Sequence, residues 1–185
     1  TDHRVFLTGK GNFREEIATL KPYKGNRDET HKPRWYKEIK AYLISKYKAE
    51  VVEGEEADDA LGIVQTIYGN STIICTIDKD LKMIVGNHYN LDSEEISTVT
   101  EREGLKFFYT QLLTGDATDN IEGCRGVGKM GAGKVLEELY EEEEMYLVCL
   151  GAYETSKQRG RYKGLTRSAE DILLENARLL YIRKQ

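Results

Sequence analysis

The sequence predicts an α/β protein with a parallel central sheet, followed by a region built only of helices. Three observations predict this. Short apolar runs rich in β-branched residues, at 5 to 7, 50 to 53 and 71 to 77, alternate with stretches of helical period, as in strands joined by crossover helices. From Glu101 onward the strand signals stop and only the helical period continues. The chain of 185 residues, 39% apolar and 32% charged, is long enough to bury one substantial core.

Taken in order, Val5 to Leu7 reads as the end of a buried strand and Gly9-Lys10-Gly11-Asn12 as a turn, with a short helix over 13 to 20. Residues 21 to 34 are polar and basic and hold both prolines, Pro22 and Pro33, so they read as a loop or loosely helical segment. Apolar residues at 35, 36, 39, 42, 43 and 47 predict a helix with a lysine-rich outer face. A strand at 50 to 53 precedes a helix from Glu56 to Tyr68 that turns Ala57, Leu61, Val64 and Ile67 inward. The strand at 71 to 77, with Cys75 in the core, leads to a helix starting at Lys79. Further helices are expected around 105 to 113, 134 to 150 and 165 to 183, with a glycine turn at 123 to 133 and a basic loop at 156 to 164. The expected division is an α/β part over 1 to 100 and a helical part over 101 to 185.

The formal charge of −5 argues against a uniformly basic coat, but the charges are segregated. Residues 1 to 48 hold 12 basic and 6 acidic groups, while 49 to 80 hold 1 and 8; residues 116 to 144 hold 3 and 9, and 145 to 185 hold 8 and 4. Two acidic blocks thus lie between basic ends, which suggests separate tasks. Cys75, Cys124 and Cys149 are dispersed, with no paired spacing, so neither a disulfide framework nor a zinc site is expected, and a reducing cytoplasm suits them. No apolar run approaches a membrane span. The chain opens at Thr1 with no Met and enters an apolar run at once, which reads as a piece of a longer chain.

Three acidic clusters fall at element boundaries: Glu55-Glu56-Ala57-Asp58-Asp59, Asp78-Lys79-Asp80 and Asp116-Ala117-Thr118-Asp119. Each alone could be an ordinary acidic helix start. Together they supply more carboxylates than capping needs, at strand ends where open α/β sheets carry their sites. Oxygen ligands without His or Cys select hard cations such as Mg²⁺ or Mn²⁺. Two such ions about 4 Å apart clamp the oxygens of a phosphodiester during in-line displacement. Residues 123 to 134 twice satisfy the GxxxxGK spacing of a phosphate loop, but Met130 and Val135 stand where Ser or Thr would follow, so a nucleotide site is not expected. The same glycines can present backbone N–H groups to nucleic-acid phosphates. Tyr23, Lys24 and Arg27, with Trp35 and Tyr36, suit single strands through stacking and charge. His3, His31 and His88 are isolated, and no role is assigned to them.

In this order the pieces resemble the flap endonuclease and 5′–3′ exonuclease family, with its bacteriophage members and the nuclease domain of bacterial DNA polymerase I. The resemblance is carried by Asn12-Phe13-Arg14 with Tyr23-Lys24-Gly25-Asn26-Arg27, by Glu55 to Asp59, by Thr76-Ile77-Asp78-Lys79-Asp80-Leu81, by Gly115-Asp116-Ala117-Thr118-Asp119-Asn120-Ile121, and by Gly123 to Gly128. It implies a sheet of the PIN and 5′-nuclease type, a helical arch over about 21 to 48, and a helix-three-turn-helix over about 116 to 140. It implies that Glu56, Asp58, Asp59, Asp78, Asp80, Asp116 and Asp119 bind two Mg²⁺ or Mn²⁺ ions. Lys24 and Arg27 would contact the scissile phosphate with Tyr23 beside them, and Gly126, Gly128 and Lys129 would grip duplex phosphates, with K⁺ at the hairpin. The resemblance also implies an N-terminal strand carrying an Asp and a second Asp shortly before Phe13; Leu7-Thr8-Gly9-Lys10-Gly11 has no carboxylate.

The expected function is a divalent-metal-dependent 5′ nuclease, a cytoplasmic monomer acting on DNA with 5′ ends, flaps or branches. The alternative is a structure-selective DNA-binding protein of the same fold without catalysis. A PIN-type ribonuclease would share the acidic cage but leave the glycine hairpin unexplained.

Overall fold

The computed structural model describes residues 2 to 27 and 32 to 185; Thr1, His31 and residues 28 to 30 of the expected arch lie outside the described residues. Strand β1 (Phe6–Asn12) runs directly into the short helix α1 (Phe13–Ile17), where the Asn12 side chain accepts from the Arg14 amide. Helix α2 (Tyr36–Tyr47) leads to β2 (Glu50–Gly54), which pairs in parallel with β1 in the register Phe6 to Glu50 through Thr8 to Val52. Gly9 lies in β1 rather than in a turn, and Gly11, at φ 71°, sits where the register shifts. A left-handed φ of that kind favours glycine.

Helix α3 (Ala57–Tyr68) packs on both strands and ends at Gly69, φ 53°. Strand β3 (Ile73–Thr76) pairs in parallel with β4 (Gly86–Asn90), and β5 (Ile96–Val99) closes that sheet antiparallel to β4. The fold is therefore mixed α/β with parallel pairing, divided between a two-stranded and a three-stranded sheet. Beyond it stand α4 (Glu101–Thr114), α5 (Lys129–Leu136), α6 (Glu142–Arg159) and α7 (Ala169–Leu180), with β6 (Gly115–Asp116) and β7 (Ile121–Glu122) as a two-residue ladder. Both α4 and α7 start with a reciprocal cap, Thr100 with Glu103 and Ser168 with Asp171.

Two apolar clusters hold these elements. The larger joins α4, α6 and α7 through Leu112, Leu113, Met145, Cys149, Tyr153, Ile172 and Leu173, and takes in Ala132 and Leu136 of α5. The smaller joins Ile74 of β3 to Leu81, Met83, Ile84 and Ile182.

Besides the turn expected at Gly9, four expectations are corrected. Lys79 opens a 3₁₀ stretch, Lys79–Met83, not a long helix, and the polar strand β4 follows it. Asp78 caps that stretch by accepting from the Asp80 amide, which stabilises one tight turn and no more. Cys75 is exposed together with Ile73 on the same face of β3, while Ile74 on the opposite face is buried. Ile67 lies 67% exposed near the end of α3, where Gly62 and Gln65 take the inward positions. Helix α2 buries none of its residues, so its period marks an apolar face that no described residue covers.

Candidate functional site

The site forms where the start of α3, the end of β3 and the loop after α4 meet the turn at 22 to 27. That turn is fastened to the loop at 117 to 120 by hydrogen bonds. Lys24 N donates to Asp119 O at 2.9 Å, Asn26 Nδ2 to Ala117 O at 2.7 Å, and Asn120 Nδ2 to Pro22 O at 2.9 Å. Both loops hold a non-glycine residue in the left-handed region, Lys24 at φ 54° and Asn120 at φ 62°. Strain of this kind persists only where surrounding contacts over-determine it.

The fastening brings Lys24, Arg27 and Tyr23 onto two of the acids. Lys24 pairs with Glu56 and stands 3.8 Å from Asp119 Oδ1, while Arg27 donates to Asp119 Oδ1 at 2.7 Å. The Tyr23 hydroxyl lies 2.9 Å from Glu56 Oε2 and 2.8 Å from Asp119 Oδ2, with one proton to offer the two. Burial, then the charges of Glu56 and Asp119, push this phenol far above its ordinary range.

On the other side, Lys79 Nζ donates to Asp80 Oδ1 at 2.6 Å and Asp116 Oδ2 at 2.9 Å. Gln111 Nε2 from α4 donates to Asp80 Oδ1 at 2.7 Å. Asp116 also accepts from the Thr118 amide at 2.7 Å. Burial would raise the Asp116 carboxyl, but Lys79 and the Thr118 amide outweigh it and hold it low. Asp80 is raised instead, by burial first and then by Asp78 and Asp116, against the pull of Lys79.

Asp58 lies between the two sides. Burial, followed by the charges of Asp78 and Glu56, pushes its carboxyl up to about 7. Asp59, grouped by the sequence with the metal-binding acids, has both oxygens occupied. Arg14 donates to it twice, at 2.6 and 2.8 Å, and the Arg183 and Glu56 amides each donate at 3.0 Å. Arg14 also donates to the carbonyls of Leu179 and Tyr181. This buried pair thus fastens α1 and the end of α7 to the start of α3.

Among the described residues, no three His, Cys, Asp or Glu side chains stand close enough together to hold one metal ion. The donor set still suits hard cations: carboxylate oxygens crowd one another, and where they are neutralised Arg14, Lys24, Arg27 and Lys79 do it. Divalent cations would offset the burial, and the smaller mutual repulsion, that raise Asp58 and Asp80.

Gly126, Gly128 and Lys129 lie apart from the acids, at the exposed start of α5. Gly126 has φ 82°. A Cβ added at Gly128, Gly131 or Gly133 would meet nothing within 4 Å, so packing inside the chain does not require glycine there. Three residues that shape the site were quoted in the sequence or passed over without a role. Arg14 and Lys79 sit inside the motifs, but their partners are distant in sequence. Gln111 sits five residues before Asp116 on the α4 face that carries Gly104, Leu112 and Leu113 inward, and helical position is the only signal it gives.

No family model matches the chain. Curated relatives do. DNA polymerase I of Deinococcus radiodurans is 30% identical over 130 residues, 64% of this chain and 13% of the relative. DNA polymerase I of Bacillus subtilis is 30% identical over 163 residues, 76% of this chain and 18% of the relative. The 5′–3′ exonuclease of Mycoplasmopsis pulmonis is 25% identical over 154 residues, 74% and 50% of the two chains. The chain belongs to the flap endonuclease and 5′–3′ exonuclease family. It spans half or less of the length of these relatives. The family fold extends to solved structures of bacteriophage T5. Its flap endonuclease, in a complex with DNA and metal ions, matches with TM-score 0.61 at 15% identity, over 97% of this chain and 84% of that one. A mutant T5 5′-exonuclease matches with TM-score 0.64 at 16% identity, over 97% and 73%.

Proposed function

We propose that this chain is part of a divalent-metal-dependent 5′ nuclease that hydrolyses phosphodiesters in DNA with 5′ ends, flaps or branches. One observation carries the reading: Lys24 and Arg27 are delivered onto Glu56 and Asp119, across 32 and 92 residues of chain, beside the acids of the remaining cluster, Asp78 and Asp80. Cations of the type that stabilise phosphate charge and oxygens of the type that hold Mg²⁺ therefore face one space.

Glu56, Asp58, Asp78, Asp80, Asp116 and Asp119 would hold two Mg²⁺ or Mn²⁺ ions, and Asp59 supports them through Glu56 and Arg14. Bound ions of this class supply an activated water and stabilise the attacking and leaving oxygens. Lys24 and Arg27, freed from Glu56 and Asp119, would neutralise the non-bridging oxygens of the scissile phosphate. Tyr23 buttresses them and excludes water from the floor of the site. Gly126, Gly128 and Lys129 would anchor the duplex through backbone N–H groups, with K⁺ as helper. The open space around these glycines supports that role.

The reading implies a monomer working inside the cell. Among the described residues no helix is long and apolar enough to cross a membrane. A 5′-flap DNA labelled at its 5′ end tests the proposal in the longer protein that contains this chain. Cleavage is expected with Mg²⁺ or Mn²⁺ and not with EDTA. Replacing Asp78 and Asp80 by Asn should abolish cleavage with DNA binding retained. An intact flap with either metal, alongside tight binding, would favour a binding protein without catalysis.

A further inference from the structure

The acids are neutralised in two separate ways. On the Glu56 and Asp119 side the cations come from the distant turn at 22 to 27. On the Asp80 and Asp116 side the cation is local, the Lys79 ammonium, and it shares its targets with a second donor. Asp80 Oδ1 accepts from Lys79 Nζ at 2.6 Å and Gln111 Nε2 at 2.7 Å; Asp116 Oδ2 accepts from the same two atoms at 2.9 and 3.4 Å. Two oxygens from distant carboxylates thus converge on one ammonium, at distances a little longer than the 2.0 to 2.1 Å typical of Mg²⁺.

Gln111, on the same two oxygens, has an acceptor to offer. The residue is 7% exposed, and its Oε1 is buried with no hydrogen-bond partner. An orphaned buried acceptor is costly and calls for a donor or a positive charge. Its amide already faces the two carboxylates through the nitrogen. A half-turn of the terminal amide brings the oxygen to that point, because the two amide ends are near-equivalent in shape. A hard cation accepts only oxygen there, so neither the ammonium nor the amide nitrogen can remain when one enters. The Lys79 side chain is half exposed, so its ammonium already borders solvent.

We propose that Lys79 is the resident counter-cation of the Asp80 and Asp116 oxygens, displaced when a divalent ion loads, and that Gln111 turns to give Oε1 as a further oxygen ligand. The proposal rests on the reading of these carboxylates as metal ligands. It makes Lys79 a competitor that keeps the two carboxylates together without metal and lowers the apparent affinity for the ion.

Mn²⁺ binding to the full chain without DNA, followed by calorimetry and by electron paramagnetic resonance of the free ion, tests this directly. Lys79→Met should bind one Mn²⁺ about three- to tenfold tighter, the range set by losing ion pairs of this exposure. Gln111→Leu should bind the same ion more weakly. Unchanged or weaker binding by Lys79→Met overturns the competition, and unchanged binding by Gln111→Leu overturns the ligand role. The double variant Asp80→Asn, Asp116→Asn separates these failures from that of the metal reading. If it binds Mn²⁺ like the parent chain, the carboxylates are not ligands and the whole scheme falls. A second measurement needs no substitution: reductive methylation of Lys79, read by mass spectrometry, should be faster with Mg²⁺ than with EDTA. Equal rates in a chain that binds the ion would overturn displacement.

Discussion

Arg14 and Asp59 show how much one buried pair can organise. The guanidinium meets the carboxylate twice and two carbonyls besides, so every charge taken out of water has a partner. Removing one member leaves the other buried and unpaired, and Arg14→Ala should cost about 3–5 kcal/mol in urea unfolding. Asp58 behaves oppositely, with burial and neighbouring carboxylates pushing it up to about 7. In the unfolded chain an Asp titrates near about 4. Between those values the folded state holds the extra proton, so this group's contribution to stability falls as pH rises from 4 and is fully lost above 7. In EDTA, Asp58→Asn should therefore melt higher than the parent at pH 8, with a smaller gain at pH 5; an equal gain at both pH values would contradict the raised carboxyl. Neither partnership could be read from sequence, because Arg14 and Asp59 are 45 residues apart and burial is a property of the fold.

At the scale of elements, capped and periodic segments were legible and polar ones were not. Helices α4 and α7 announce themselves through their apolar spacing, and the structure adds the caps Thr100 with Glu103 and Ser168 with Asp171. Strand β4, Gly-Asn-His-Tyr-Asn, carries no alternation, and only its neighbours β3 and β5 make it a strand. Helix α2 shows the reverse failure: its period was legible, but period alone does not say what lies over a face. Helix α5 has two interior glycines with no packing reason, each costing roughly 1 kcal/mol against alanine. Gly131→Ala should accordingly raise stability by about that amount in urea titration. If the bare backbone serves duplex phosphates, the same variant should weaken binding of a duplex oligonucleotide. Unaltered binding would mean that the interface proposed at Gly126 and Gly128 does not extend to Gly131.

For the whole molecule, a net charge of −5 conceals an acidic centre flanked by basic segments. Two divalent ions would offset part of the negative charge of the acidic centre, so DNA affinity should rise with Mg²⁺. Ca²⁺, a hard cation of larger radius, offers a way to measure binding without relying on cleavage. Fluorescence anisotropy of a labelled flap should show tighter binding with Ca²⁺ than with EDTA at one ionic strength. Equal affinity would mean that the acidic centre does not meet the DNA.

The sequence by itself determined the alternation of strands and helices, the three acidic clusters at element starts, the basic turn and the glycine hairpin. Each of these is written in local spacing, which period, capping and turn chemistry make readable. Only the tertiary structure decided that Lys24 and Arg27 close over Glu56 and Asp119, that Arg14 claims Asp59, and that Lys79 and Gln111 share the oxygens of Asp80 and Asp116. The reason is physical. Ion pairing and desolvation depend on distances through space, and these pairs are brought together by packing between elements that the chain separates.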